Sequence, residues 1–208
     1  MVQKLEHLKE SPSQTAGPYV HIGCTPNWVE ITGVWDEDLG LTMVKPETRG
    51  ERILIKGHVI DGSGTPLKDA MVEIWQADAE GLYNGRGEKR GTADPSFLGW
   101  GRQPTDGVTG EFRFETIKPG RVPFTDGRLM APHITVWIVA RGINIGLHTR
   151  MYFADEATAN AEDPVLARIE HKVRVPTLLA TRSEEGGLPT YTFDIRLQGH
   201  QETIFFDI

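Results

Sequence analysis

The chain has 208 residues, with 22 lysines and arginines against 29 aspartates and glutamates, for a formal net charge of −7. That length suits one sizeable domain with a full core, and the acidic balance excludes binding to nucleic acid or anionic membranes through bulk charge. Cys24 is the only cysteine, which excludes an intrachain disulfide and any cysteine-based zinc motif and fits a reducing cytoplasm.

The N-terminal stretch MVQKLEHLKESPSQ has no apolar core of signal-peptide length, and no segment approaches the ~18 apolar residues of a membrane span. Residues 1–50 hold Pro12, Pro18 and Pro26 and few alternating runs. Tyr19, Val20 and Ile22 within SQTAGPYVHIG mark this stretch as an extended arm that packs on another chain. The domain proper is expected over residues 51–208.

ILIKGHVI, Ile53 to Ile60, reads as a strand, and DGSGTP after it as a turn. AMVEIWQAD, Ala70 to Asp78, is the next strand and is expected to form a hairpin with the first. EFRFET, Glu111 to Thr116, alternates, with Phe112 and Phe114 on one face and Arg113 and Glu115 on the other. HITVWIVA, His133 to Ala140, is apolar on both faces and predicts a central strand covered twice. RMYF, Arg150 to Phe153, is expected to pair near it. PVLARIE, Pro164 to Glu170, predicts a short helix with Asp163 as N-cap and proline at the first helical position. YTFDIRLQG, Tyr191 to Gly199, aims Tyr191, Phe193, Ile195 and Leu197 inward, and ETIFFDI is expected to close the chain as a last strand. Many short strands and little helix predict an all-β fold, a β-sandwich.

The seven histidines include no H-x-H, H-x3-H or HExxH pair. His133 and Thr135 share a strand face and are the nearest approach to a metal site. Taken alone, His133 is more simply a core or edge histidine, and Arg141 a solvated strand end. GRGEKRG lacks the strand–loop–helix context of a phosphate loop, and no G-x-S-x-G elbow occurs.

The combination of VEIWQADAEGLY, DPSFLGWGR, FRFETIKPG and APHITVWIVARG resembles the intradiol ring-cleavage dioxygenases from about Ser13 to the C-terminus. The resemblance implies an immunoglobulin- or transthyretin-like sandwich of mixed and antiparallel sheets. It also implies a ferric site of two tyrosines and two histidines, a donor set in which tyrosinate oxygen suits a hard cation. One tyrosine position is Tyr83; the second is Val122 in KPGRVP; the histidine positions are His133 and Thr135. Half of the ligand set is therefore missing, and the chain is expected to hold no iron. SQTAGPYVHIG, ARGINIGLHTRMYF and the ending FFDI resemble the α chains of heteromeric members. That implies an iron-bearing β chain as partner in a higher-order αβ oligomer, with protocatechuate and O2 as substrates. Thr15, Gly17, Pro18 and Arg141 then correspond to residues lining the partner's substrate pocket. The competing readings are a self-sufficient intradiol catechol dioxygenase and a non-enzymatic β-sandwich interaction module.

Overall fold

The computed structural model describes residues 16, 17, 19–144 and 146–207. Among them, strands β1 (Arg52–Ile60), β2 (Met71–Trp75), β3 (Trp100–Pro104), β4 (Glu111–Ile117), β5 (His133–Val139), β6 (Leu147–Phe153), β7 (Leu179–Glu185), β8 (Leu188–Thr192) and β9 (Ile195–Arg196) dominate. Helices are few and short: α1 (Tyr19–Cys24), α2 (Ala157–Glu162), α3 (Pro164–Arg168) and a 3-10 stretch over Lys172–Leu178.

One hydrogen-bonded path runs β3-β2-β5-β6-β7-β8-β1-β4, with β9 added to β1. In one half, β5 lies between β2 and β6, antiparallel to both. In the other, β1 lies between β4 and β8, antiparallel to the first and parallel to the second. β7 joins the halves through two parallel pairs with β6, Tyr152–Leu179 and Phe153–Ala180, and an antiparallel ladder with β8. β3 and β4, at the two ends of the path, touch, so the mostly-β sheet is nearly closed into a barrel.

The interior follows from the two-residue period of the strands. Ile134, Val136 and Ile138 of β5 and Val72 and Ile74 of β2 meet Ile53, Ile55, Phe112 and Phe114 of β1 and β4 in one buried cluster. The alternate residues of β5 are His133, which is buried, and Thr135, Trp137 and Val139, which are half-buried. The second face of β5 is thus only partly covered, less than its apolar composition suggested.

Three strand expectations are revised. β1 and β2 form no hairpin: β1 pairs with β4, β8 and β9, and β2 with β3 and β5. Both strands carry an apolar face, and the two faces meet across the core rather than lying side by side. Tyr191–Gly199 is broken between β8 and β9, which keep one register along β1. At the break the Asp194 carboxylate accepts the His58 N–H at 3.0 Å, in place of a ladder bond. ETIFFDI contributes a single bridge, His148–Phe206, rather than a strand. Before β1, Met43 enters the main core, and the Thr48 hydroxyl donates to the Ser96 carbonyl at 2.6 Å. The segment just ahead of the first strand is therefore fixed on the chain's own sheet.

The short helix after Asp163 forms as expected, and its cap does more than start it. Asp163 is fully buried. Its Oδ1 accepts the Val165 and Leu166 N–H groups, each at 2.8 Å, and its Oδ2 accepts the Ala131 N–H at 2.7 Å. One carboxylate thus ties α3 to the entry of β5. Asp163→Ala leaves these donors without partners and is expected to lower the unfolding free energy by about 3 kcal/mol. Urea unfolding measures this, and a loss below ~1 kcal/mol would contradict the assignment.

Candidate functional site

Tyr83 is placed by a tight turn. The buried Asp78 carboxylate accepts the Glu80 and Leu82 N–H groups at 3.0 and 2.9 Å. Gly81 sits between them at φ 79°, where a Cβ would come within 2.2 Å of the Arg121 carbonyl oxygen. Only glycine fits that approach, and it brings the turn against the KPGRVP loop. The Tyr83 ring then stacks on Trp75, with centroids 6.1 Å apart and planes 9° from parallel. Burial pushes its phenol pKa up, against the pull of Arg150 and Arg90, so the neutral form is favoured.

Val122 is buried with Ala77 and Met130, and Tyr83 packs on that group. Thr135 lies opposite Trp75 on one side of β5 and opposite Arg150 on the other. His133 lies opposite Tyr152, their rings 5.7 Å apart. The structure therefore gathers Tyr83, Val122, His133 and Thr135 at one end of β5, with Arg150 and Tyr152 of β6 beside them. A cleft of about 370 Å³, lined by Trp75, Tyr83, Glu88, Arg90, Val122 and Pro123, opens beside Tyr83 and Val122; His133 and Thr135 do not line it.

His133 is 3 % exposed, and its Nδ1 lies 2.8 Å from the Ala131 carbonyl oxygen. A carbonyl accepts, so Nδ1 donates and Nε2 keeps the lone pair of the neutral ring. Burial, reinforced by the nearby Arg150 charge, pushes the His133 pKa down to about 4. Of the four gathered positions, Tyr83 and His133 carry donors of the kind ferric iron takes; Val122 has none, and Thr135 offers a neutral hydroxyl. This set does not fit a ferric site.

Arg141 lies elsewhere. Eight residues of extended chain from His133 amount to about 25 Å. Its side chain is 74 % exposed and pairs with the Asp69 carboxylate, Nε donating at 2.9 Å. Helix α1 docks beside that pair. His21 is buried, with Nε2 2.9 Å from the Asp69 carbonyl oxygen and Nδ1 3.2 Å from the Thr25 hydroxyl. The Gly17 carbonyl accepts the Val20 N–H at the start of the helix. The structure thus brings Gly17 and Arg141 into one neighbourhood through Asp69, while Thr15 and Pro18 lie outside the described residues. Sequence reasoning missed Asp69 and His21, because nothing local links positions so far apart in the chain. It also missed Arg150, whose register opposite Thr135 is the only signal.

The family model described as Dioxygenase matches residues 24–199. The chain is 47 % identical over 205 residues, 98 % of each sequence, to the protocatechuate 3,4-dioxygenase alpha chain of Pseudomonas putida. It is 35 % identical over 181 residues, 84 % of this chain and 76 % of the other, to the protocatechuate 3,4-dioxygenase beta chain of Burkholderia cepacia. The solved 3-chlorocatechol 1,2-dioxygenase of Rhodococcus opacus 1CP superimposes with a TM-score of 0.56 at 23 % identity, covering 80 % of this chain and 68 % of that one. At that identity the superposition speaks for the fold alone.

The His133 shift makes a pH prediction. The folded state holds the ring neutral down to about pH 4, whereas the unfolded ring takes up a proton near pH 6.5. Between those values the unfolded state binds more protons, so stability is full above pH 6.5 and falls as pH drops toward 4. The loss is up to about 3 kcal/mol. Chemical denaturation of wild type and His133→Gln from pH 7 to 4 should show a steeper decline in wild type. Parallel curves would contradict it.

Proposed function

The chain belongs to the intradiol branch of the dioxygenase family, and from that premise we propose that it is the α subunit of a heteromeric protocatechuate 3,4-dioxygenase. The complex cleaves protocatechuate with O2 between its two hydroxyl-bearing carbons, giving 3-carboxy-cis,cis-muconate. Intradiol dioxygenases use ferric iron; in this reading the β chain holds it, and this chain contributes pocket wall and assembly. The observation that carries the reading is the separation of its two sites. The Tyr83–His133 cluster lacks half a ligand set, while Arg141 stands exposed about 25 Å away, paired with Asp69, where it cannot serve that cluster and can be reached by another chain's.

The chemistry of Arg141 agrees with such a role. Protocatechuate carries a carboxylate and this chain is net acidic, so a local cation is needed. A guanidinium is permanently charged and presents fixed donors to a carboxylate. In this reading Gly17, brought near Arg141 through helix α1 and Asp69, adds to the wall contributed by this chain. In this reading the exposed apolar side chains between Tyr19 and Leu41 face the partner, while Met43 and Thr48 pack on the chain's own sheet, and residues 51–208 form the dioxygenase-like domain, its two half-sheets serving as the layers of a sandwich. Exposed apolar side chains support the partner role. Trp28, Val34, Trp35 and Leu41 line a cleft of about 780 Å³ between the arm and Arg102–Pro104 of β3, and Tyr19 and Ile22 of α1 are also exposed. Surface of this kind marks an interaction site. No helix among the described residues is long and apolar enough to cross a membrane, and the complex is assigned to the cytoplasm.

Co-expression with a candidate β chain tests the reading: a stable complex with ring-cleaving activity is expected, and its absence would overturn it. Within that complex, Arg141→Ala is expected to raise KM for protocatechuate by about 10- to 100-fold with iron content unchanged. Unaltered kinetics would remove Arg141 from the substrate pocket.

A further inference from the structure

The Tyr83–His133 cluster departs from a metal site in a second way, beyond the donors it lacks. Arg150 is the register partner of Thr135, so its side chain leaves the same sheet face as His133, Thr135 and Tyr152. Its Nη1 reaches the Met130 sulfur at 3.4 Å, and Met130 packs with Val122 and Tyr83. The guanidinium therefore neighbours every one of the family's ligand positions: Thr135 in register, His133 one pair further along, Val122 and Tyr83 through Met130. Its contacts include this sulfur, the Tyr152 hydroxyl and the face of Phe206, 6.0 Å from the ring centre, and among the described residues no carboxylate forms an ion pair with it.

We propose that Arg150 is a resident cation that takes the place of a metal in this chain, so that the cluster rejects ferric iron by charge as well as by missing ligands. The inference rests on reading Tyr83, Val122, His133 and Thr135 as the family's ligand positions. Its logic is that a guanidinium and a metal ion ask for similar surroundings. Both need lone pairs, and phenol and threonine oxygens, the free nitrogen of a neutral imidazole and a thioether sulfur all supply them. The guanidinium differs in needing no tyrosinate, because it is satisfied by neutral acceptors. Two cations cannot share a half-buried site of low effective dielectric.

The test restores the ligands with and without the charge, in the full-length chain. Val122→Tyr with Thr135→His is expected to remain free of iron. Adding Arg150→Met, which keeps an apolar stem of similar length, is expected to admit ferric iron at least about 100-fold more tightly. Bound iron is read by elemental analysis after desalting and by the tyrosinate-to-iron absorption band. Adding Arg150→Lys instead keeps the charge and is expected to keep iron out. Equal iron affinity in the first two variants, whether both bind or neither does, would overturn the inference. If Val122→Tyr prevents folding, Thr135→His alone and with Arg150→Met are compared by equilibrium dialysis, and the same difference is required. Iron bound by the wild-type chain would instead count against the proposed function, which keeps the two failures apart.

Discussion

The alternation of β5 is the constraint on which the remaining arrangement depends. A strand sends successive side chains to opposite faces, and here Ile134, Val136 and Ile138 go to the core while His133, Thr135 and Trp137 go to the other side. A one-residue slip would turn His133, Thr135 and Trp137 into the main core and carry the isoleucines to the half-covered face. The core thus fixes the register, and the register fixes which residues can meet across β2 and β6. Trp75, Arg150 and Tyr152 join the outer face for this reason alone. Asp163 locks the start of the strand by holding the Ala131 N–H.

A strand also has two ends, and this one serves different purposes at each. At its start the pleat points His133 into the cluster around Tyr83 and Val122. At its finish the chain turns out, and Arg141 reaches solvent beside Asp69 and helix α1. The separation of these ends gives the division of labour its physical sense. One end gathers Tyr83, Val122, His133 and Thr135 with the Arg150 guanidinium beside them. The other carries the exposed Arg141, which the proposed function gives to a neighbouring chain's pocket. The Asp69 pair keeps that cation ordered, and an exposed pair of this kind is weak and screened by solvent, so another carboxylate can compete for it.

Much of this was legible in the sequence, for identifiable reasons. β4 announces itself by alternation, β1 and β5 by apolar runs of strand length, and α3 by its cap. The β1–β2 hairpin was misjudged because short strands carry no label for which half they join. β3 (WGRQP) and β7 (LATRSEE) were missed because their burial patterns do not alternate as apolar and polar residues. Arg150 read as an ordinary strand residue within RMYF, since only the pairing with Thr135 gives it a place. Asp69 and His21 became visible only when the fold joined them.

The central claim is that the iron of the working enzyme belongs to a neighbouring chain. The most direct measurement is the iron content and visible spectrum of this chain produced alone in iron-replete medium, set beside those of the complex with its partner. The account predicts far less than stoichiometric iron and no tyrosinate-to-iron band in the isolated chain, with both present in the complex. Stoichiometric iron with that band in the isolated chain would contradict it.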